Sequence, residues 1–463
     1  MALMKIRCSL ALCVGLVFSM AVHGWAAEAR KPNILLIVGD DMGYGDIGVH
    51  GCKDIPTPNI DSLARNGVRC SSGYVSGPYC SPTRAALMSG RYQQRFGHEF
   101  NPGPADQVQK DFGLPLTEKT LADRLKAAGY VTALVGKWHL GYEPEFHPMK
   151  RGFSEYFGFL GGAHSYFDAR ADKANPILRG IQPVDEQEYL TDAFRREALA
   201  FIDRNSKDPW FLYLGFNAVH TPMHAPPKYL DRFKEIKDQN RRTYAAMMWA
   251  MDEAIGAVLE KLRTLKLEEQ TLIFFVSDNG GPPVNGSSNG SLRGYKAQTW
   301  EGGIRVPFIM QWKGELPAGK VYDQPVIQLD FLPTALAAGG VPIQPEWKLD
   351  GVNLLPYLKG SKKEPPHDAI YWRFGQQMAI RMGEWKLVRA PDSGPGVRPR
   401  QGAAQISEAQ LFNLADDIGE KNNLADKESG KVKKLEAAWK KWDAELEQPR
   451  WVPNRNGRTQ SAR

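Results

Sequence analysis

The chain has 463 residues, of which 42% are hydrophobic and 24% charged. This composition excludes a disordered or low-complexity protein and leaves length for two domains with a large core. The formal charge of +7 becomes about +5 if Lys5 and Arg7 depart with a leader; that balance suits an anionic substrate, and without a basic stripe or interleaved aromatics no nucleic-acid partner is expected.

Residues 1–26 read as a secretory signal. Lys5 and Arg7 make the positive start, Cys8 to Val22 is an apolar run too short to span a bilayer stably, and small residues around Ala26 offer a cleavage site. The expectation is an exported protein, periplasmic or secreted, with no stable membrane span after cleavage. Cys8 and Cys13 would leave with the signal. Of the remaining Cys52, Cys70 and Cys80, the first two are either a pair or two free thiols.

Short apolar runs then alternate with amphipathic segments. The runs are Asn33 to Val38, Val131 to Val135, Trp210 to Phe216, Leu272 to Val276 and Val306 to Gln311, and helical spacing marks Leu121 to Ala128, Asp192 to Arg204 and Arg242 to Leu265. This predicts an α/β fold with a large mixed, mostly parallel sheet sandwiched by helices, spanning residues 27–345. From 346 to 448 the pattern changes to a smaller C-terminal α+β domain with an antiparallel sheet: a hairpin over Gln377 to Arg389 turning near Gly383, a strand at Leu411 to Leu414, and a helix over Val432 to Leu446. Pro391 to Gln405 reads as a mobile loop, and 449–463, with four arginines and no acid, as a disordered tail.

The strand runs lead into polar groups: Asp40 and Asp41, then Lys137 and His139, then Asn217 and His220, then Asp278 and Asn279. In an open α/β sheet the carboxyl ends of the strands line one crevice, which gathers these residues. The stretch Gly77 to Tyr92, GPYCSPTRAALMSGRY, delivers Cys80 to the first turn of a helix, where backbone N–H groups and Arg84 favour an anion. Asp40, Asp41, Asp278 and Asn279 offer oxygen ligands alone, a hard set that selects Ca²⁺, or Mg²⁺ as the second choice. Arg84, Lys137, Lys296, His139 and His220 would surround the transferring group with positive charge and proton-transfer partners.

Six ordered motifs sharpen this reading. NILLIVGDDMGYGD (Asn33 to Asp46), PYCSPTR (Pro78 to Arg84), GKWHLG (Gly136 to Gly141), HTPMHAP (His220 to Pro226), SDNGG (Ser277 to Gly281) and LRGYKAQTWEGGIRVP (Leu292 to Pro307) resemble the type I, formylglycine-dependent sulfatases of the alkaline phosphatase superfamily. DDIGEKNNLA (Asp416 to Ala425) is similar to their C-terminal domain. Position 83 is threonine where many members carry serine.

The resemblance implies that Cys80 is converted to formylglycine by a formylglycine-generating or maturase enzyme. Asp40, Asp41, Asp278, Asn279 and residue 80 would hold the calcium, and Arg84 would stabilise the hydrated aldehyde. One hydroxyl of that hydrate, helped by Asp278, would attack sulfur while Lys137 and Lys296 hold the sulfate oxygens. His220, with Lys296, would protonate the leaving alcohol, and His139 would break down the covalent sulfo-enzyme intermediate. A sulfated carbohydrate is the expected substrate, with His98, His164, Tyr166, Arg170, His224 and Trp300 flanking the crevice. The same crevice would accept a tetrahedral phosphorus ester, so a phosphodiesterase or phosphonate monoester hydrolase of the superfamily is the alternative. A non-catalytic exported binding protein is a second.

Overall fold

The structure is a computed structural model that describes residues 30–170, 172–391, 406–453 and 459–461. The expected signal (1–26) and the body of the expected loop after Pro391 lie outside the described residues. The described residues from 31 onward form one compact unit.

A ten-stranded mixed sheet runs through it, in the spatial order Lys320–Tyr322, Val68–Cys70, Phe308–Gln311, Thr271–Ser277, Asn33–Gly39, Trp210–Gly215, Val131–Lys137, Glu155–Phe159, Leu178–Arg179 and Gln182–Pro183. The central strands from Thr271–Ser277 to Glu155–Phe159 are parallel. The expected strand at Val306 to Gln311 begins at Phe308 and runs antiparallel to both neighbours. Alternation along Asn33–Gly39 feeds two cores: Leu35 and Ile37 face helices Leu190–Arg204 and Gln239–Thr264, while Ile34, Leu36 and Val38 face helices Cys80–Ser89, Leu121–Ala127 and Phe331–Ala338. Because every residue of that strand is buried, it reads as a continuous apolar run, the signature of a strand covered on both faces.

Three glycines lie side by side across adjacent strands, Gly215 beside Gly136 beside Gly158. Gly136 has φ of 120°, and a Cβ there would stand 1.9 Å from the Gly215 carbonyl oxygen. Only glycine fits that backbone and that approach.

The second sheet has four antiparallel strands, Ile370–Phe374, Gln377–Met382, Trp385–Arg389 and Gln410–Asn413, and shares a core with helix Ser429–Asp443 through Ile380, Leu387, Leu435 and Trp439. The same core takes in Tyr74, Ala86 and Trp300 from the larger part, so the two sheets are not insulated from each other. The stretch from Pro449, expected to be disordered, departs from that expectation at Trp451: its side chain is fully buried and its indole N–H donates to the Phe100 carbonyl oxygen at 2.9 Å. Tryptophan buries more apolar surface than any other side chain, enough to dock a short segment. Cys52 and Cys70 are free thiols, Cys70 in the core and Cys52 partly buried.

Candidate active site

The crevice forms at the carboxyl ends of the central strands. Asp40 and Asp41 follow Asn33–Gly39, Lys137 ends Val131–Lys137, and Asp278 and Asn279 follow Thr271–Ser277. Helix Cys80–Ser89 points its first turn at them, and all ten of its residues are buried. Cys80 Sγ lies 3.6 Å from Asp40 Oδ1, 4.0 Å from Asp41 Oδ1 and 3.2 Å from Lys296 Nζ.

Each charge has a partner of the opposite sign. The Lys137 ammonium meets Asp40 Oδ2 at 2.5 Å, and Lys296 Nζ donates to both Asp41 oxygens at 2.6 and 2.9 Å. Arg84 sits at the centre: its Nε and a terminal nitrogen reach Asp278 Oδ2 at 3.0 and 2.9 Å, and its other terminal nitrogen donates to the Tyr213 hydroxyl at 3.1 Å. Asp41 (φ 60°) and His139 (φ 61°) both adopt the left-handed backbone conformation, which for non-glycine residues costs roughly 1 kcal/mol or more and clusters at functional sites.

Burial and neighbouring charge set the protonation states. Burial alone would raise Asp40, but Lys137, His220, Arg84 and Lys296 overcome it and hold the carboxyl far below its usual range. Burial and the adjacent Asp40 charge win at Asp278, which rises to about 6. Burial pushes the Cys80 thiol well up against the pull of Lys137 and Lys296, so an unmodified Cys80 is a protonated thiol and a poor nucleophile at neutral pH. Burial, reinforced by Lys137 and Arg84, drives His139 well down and keeps it a neutral base. His220 is lowered by burial against the opposing pull of Asp41 and Asp40. Its Nδ1 lies 2.6 Å from the Thr221 carbonyl oxygen, which makes that nitrogen the donor and turns Nε2 toward Asp41 Oδ2 at 3.6 Å. His220 and Lys296 are the parts of the cluster that reach solvent, at 18% and 12% side-chain exposure.

The donor set fits a hard divalent cation. Asp40, Asp41, Cys80 and His220 present ligand atoms within 4.8 Å of one another, and carboxylate and amide oxygens dominate once Asp278 and Asn279 are added. Asn279 Oδ1 is buried without a hydrogen-bond partner, while its amide nitrogen donates to Asp41 Oδ1 at 2.7 Å. A buried carbonyl oxygen left over among carboxylates is the acceptor a cation would use.

The expected substrate contacts divide. His164 is nearly buried, its Nδ1 against the Ser165 carbonyl oxygen and its Nε2 unpartnered. Tyr166 donates its hydroxyl to the carbonyl oxygens of Asn217 (2.6 Å) and His220 (2.9 Å), so it braces the His220 loop. His224 lies tilted against Phe167 with ring centroids 5.7 Å apart, and Arg170 is exposed and paired with Asp185. His98 and Trp300 do not line the crevice. Both are 0% exposed: His98 packs against Trp451, and Trp300 lies under the Arg293 guanidinium with its indole N–H on the Pro391 carbonyl oxygen. Trp300, a large ring with its indole N–H satisfied internally, gains more from burial than from facing a wet cleft.

Sequence reasoning gave no role to three supports of this site, although it placed one of them, Asn217, in the crevice. Ser81 bonds to His98 and to the His139 carbonyl oxygen. Asn217 is buried with both amide atoms unpartnered. Gly162 touches His139 so closely that a Cβ there would lie 2.7 Å from the imidazole Cε1 and Nε2. Asn217, at the end of a strand run, carried the one available signal.

Comparison with known proteins agrees with the geometry. The family model described as Sulfatase matches residues 32–341, and the one described as N-sulphoglucosamine sulphohydrolase, C-terminal, matches residues 295–446. N-acetylgalactosamine-6-sulfatase of Canis lupus familiaris is 36% identical over 395 residues, covering 80% of this chain and 74% of the relative. The solved structure of Ps i-CgsB in complex with k-i-k-neocarrahexaose superposes with a TM-score of 0.84 at 38% identity, covering 91% of this chain and 95% of that one. The PsFucS1 sulfatase from Pseudoalteromonas sp. superposes with a TM-score of 0.76 at 27% identity, covering 90% of each chain. With a family match over most of its length and relatives above 30% identity along four-fifths of it, the chain belongs to the sulfatase family of the alkaline phosphatase superfamily and is a sulfate ester hydrolase.

Proposed function

We propose that the protein is exported and removes sulfate from a sulfated carbohydrate by the formylglycine route. The observation that carries the route is the convergence on residue 80: two carboxylates and an ammonium within 4.0 Å of its side chain, at the N-terminus of a buried helix. Conversion of Cys80 to formylglycine by a maturase would supply there a hydrated aldehyde as nucleophile. Calcium, held by Asp40, Asp41, Asp278 and Asn279, would supply added positive charge at the sulfate.

The side chains around them have definable tasks. Lys137 and Lys296, anchored by Asp40 and Asp41, hold the sulfate oxygens and balance the charge that develops in the transition state. Arg84, locked by Asp278 and Tyr213, keeps a fixed positive field beside residue 80. His220 donates its Nδ1 proton to the Thr221 carbonyl oxygen, so Nε2, at the solvent side, must first take up a second proton; the resulting imidazolium, with the Lys296 ammonium beside it, then protonates the leaving alcohol. Neutral His139 is the base for product release.

Two relatives support a carbohydrate substrate: one is named for N-acetylgalactosamine 6-sulfate, and the other was solved with k-i-k-neocarrahexaose. Arg170 and His224 would form the sugar-side rim; Tyr166 and His164, at 1% and 3% exposure, are too buried to join it.

The test pairs mass spectrometry of the peptide containing residue 80 with desulfation assays on defined sulfated mono- and oligosaccharides, alongside phosphate and phosphonate esters, with and without EDTA and added Ca²⁺. The expected result is formylglycine at residue 80, a kcat/KM for a sulfated sugar at least about 100-fold above that for any phosphorus ester, and activity lost to chelation and restored by Ca²⁺. Preference for a phosphonate, or full activity with an intact thiol at residue 80, would overturn the reading.

A further inference from the structure

The loop after the nucleophile's helix and the closing stretch of the chain meet beside residue 80. Ser81 is fully buried; its hydroxyl donates to the His139 carbonyl oxygen at 2.6 Å, and its oxygen lies 2.6 Å from His98 Nε2. A hydroxyl has one proton, here spent on His139, so His98 must be the donor at Nε2. The Ser81 backbone N–H is taken by Asn101 Oδ1 at 3.0 Å. His98 is held edge-on by the Trp451 ring at 4.7 Å, and Trp451 is stacked on Phe112, also at 4.7 Å. Backbone N–H groups of Glu447 and Arg450 donate to the carbonyl oxygens of Gln94 (3.0 Å) and Gly97 (2.9 Å). Residues 447–451 thus strap the loop that carries His98.

His139 needs such a fixture. Its backbone is left-handed at φ 61°, and its Nδ1 has no hydrogen-bond partner, so no bond from the ring itself fixes the imidazole. Its N–H donates to the Leu160 carbonyl oxygen, and its own carbonyl oxygen is the handle that Ser81 grips. A strained backbone persists only where its surroundings over-determine it.

We propose that His98 is a positioning residue: through Ser81 it fixes the His139 backbone, and with it the imidazole beside Lys137, Arg84 and Asp40, while the Trp451 strap holds His98. The proposal rests on the reading of His139 as the base of the sulfatase site.

The full chain is compared as wild type, His98→Gln and His98→Leu on one sulfate ester. Turnover is normalised to the fraction of chains carrying formylglycine at residue 80, and the ¹⁵N NMR signals of the His139 imidazole are recorded. Leucine removes the donor, whereas glutamine keeps an N–H near the position of Nε2. His98→Leu is expected to lose about tenfold or more in kcat with KM within about twofold, and to shift the His139 signals; His98→Gln is expected to restore both. Equal losses in the two variants, or unmoved His139 signals in His98→Leu, overturn the proposal. If His98→Leu does not fold, Ser81→Ala breaks the same link by removing one oxygen, and unchanged kcat and His139 signals in that variant overturn it as well. An inactive wild type with residue 80 fully converted would sink the reading of the site instead, because the NMR comparison does not depend on turnover.

Discussion

Two clusters of buried charge sit in this molecule, and they are finished differently. Around Glu301, Lys386 bridges Glu301 Oε1 at 2.9 Å and Glu420 Oε1 at 2.8 Å. Glu301 Oε2 takes the Tyr74 hydroxyl at 2.7 Å and Arg305 at 3.2 Å, and Glu420 Oε2 takes the Glu301 backbone N–H at 2.7 Å. Each carboxylate oxygen lies against one of the protein's own cations or donors, Glu420 Oε1 through its ion pair with Lys386 and without a further hydrogen bond, and the cluster joins the small sheet to the large part. Around Cys80, three carboxylates and three cations also pair, yet Asn279 Oδ1, His139 Nδ1 and both amide atoms of Asn217 stay buried and unpartnered. Each such group costs about 1–3 kcal/mol. A site built to be completed by a cation and a substrate tolerates that cost; a structural cluster has no reason to.

The same substitution in each cluster should separate the two roles. Lys296→Met is expected to lower kcat by about 10²- to 10³-fold, the cost of one preorganised charge, with little change in the melting midpoint. Lys386→Met should do the reverse, costing about 3–5 kcal/mol of stability by leaving Glu301 and Glu420 without their shared cation, while the folded fraction keeps its kcat. Denaturant titration and steady-state kinetics on both variants check this. If Lys386→Met were fully stable, or Lys296→Met fully active, the distinction would fail.

A finer probe adds one carbon. The Cβ of Gly162→Ala would crowd the His139 ring at 2.7 Å, so kcat should fall by about 10- to 100-fold with substrate affinity and midpoint nearly unchanged. A variant as fast as wild type would show that the ring moves without consequence.

The smallest effect concerns a third buried pair, His367 with Asp330 at 2.9 and 3.0 Å. Burial alone would lower His367, but the Asp330 contact outweighs it and raises the imidazole above its ordinary 6.5. A raised folded value means the stabilisation is fully present below the unfolded value and fades as pH climbs through the folded one. The midpoint difference between wild type and His367→Gln should therefore be largest below the ordinary value of 6.5 and shrink as pH rises through the raised folded value. A pH-independent difference would assign the pair no titrating role.

Much of this was legible along the chain. Asn33–Gly39, Val131–Lys137, Trp210–Gly215 and Thr271–Ser277 announce themselves as apolar runs because both their faces are buried. The polar residues after them converge because parallel strands share one carboxyl end. The motifs around Asp40, Cys80, Lys137, His220, Asp278 and Lys296 sufficed for the family. Periodicity stops short of pairing partners: it records which face a side chain takes, and says nothing of the direction of the neighbouring strand. That is why the antiparallel run of Phe308–Gln311 and the short strands Val68–Cys70 and Lys320–Tyr322 emerged only in three dimensions.

Local sequence determined what chemistry is present, because the identity and order of acids, cations and the cysteine are properties of the chain. Tertiary structure decided which groups are free to act. Arg84 is locked onto Asp278 across 194 residues, Trp300 and His98 are withdrawn into the interior, and Trp451 returns from the far end of the chain to support the loop beside residue 80. These outcomes depend on burial and on contacts between distant segments, and no window along the sequence contains both partners.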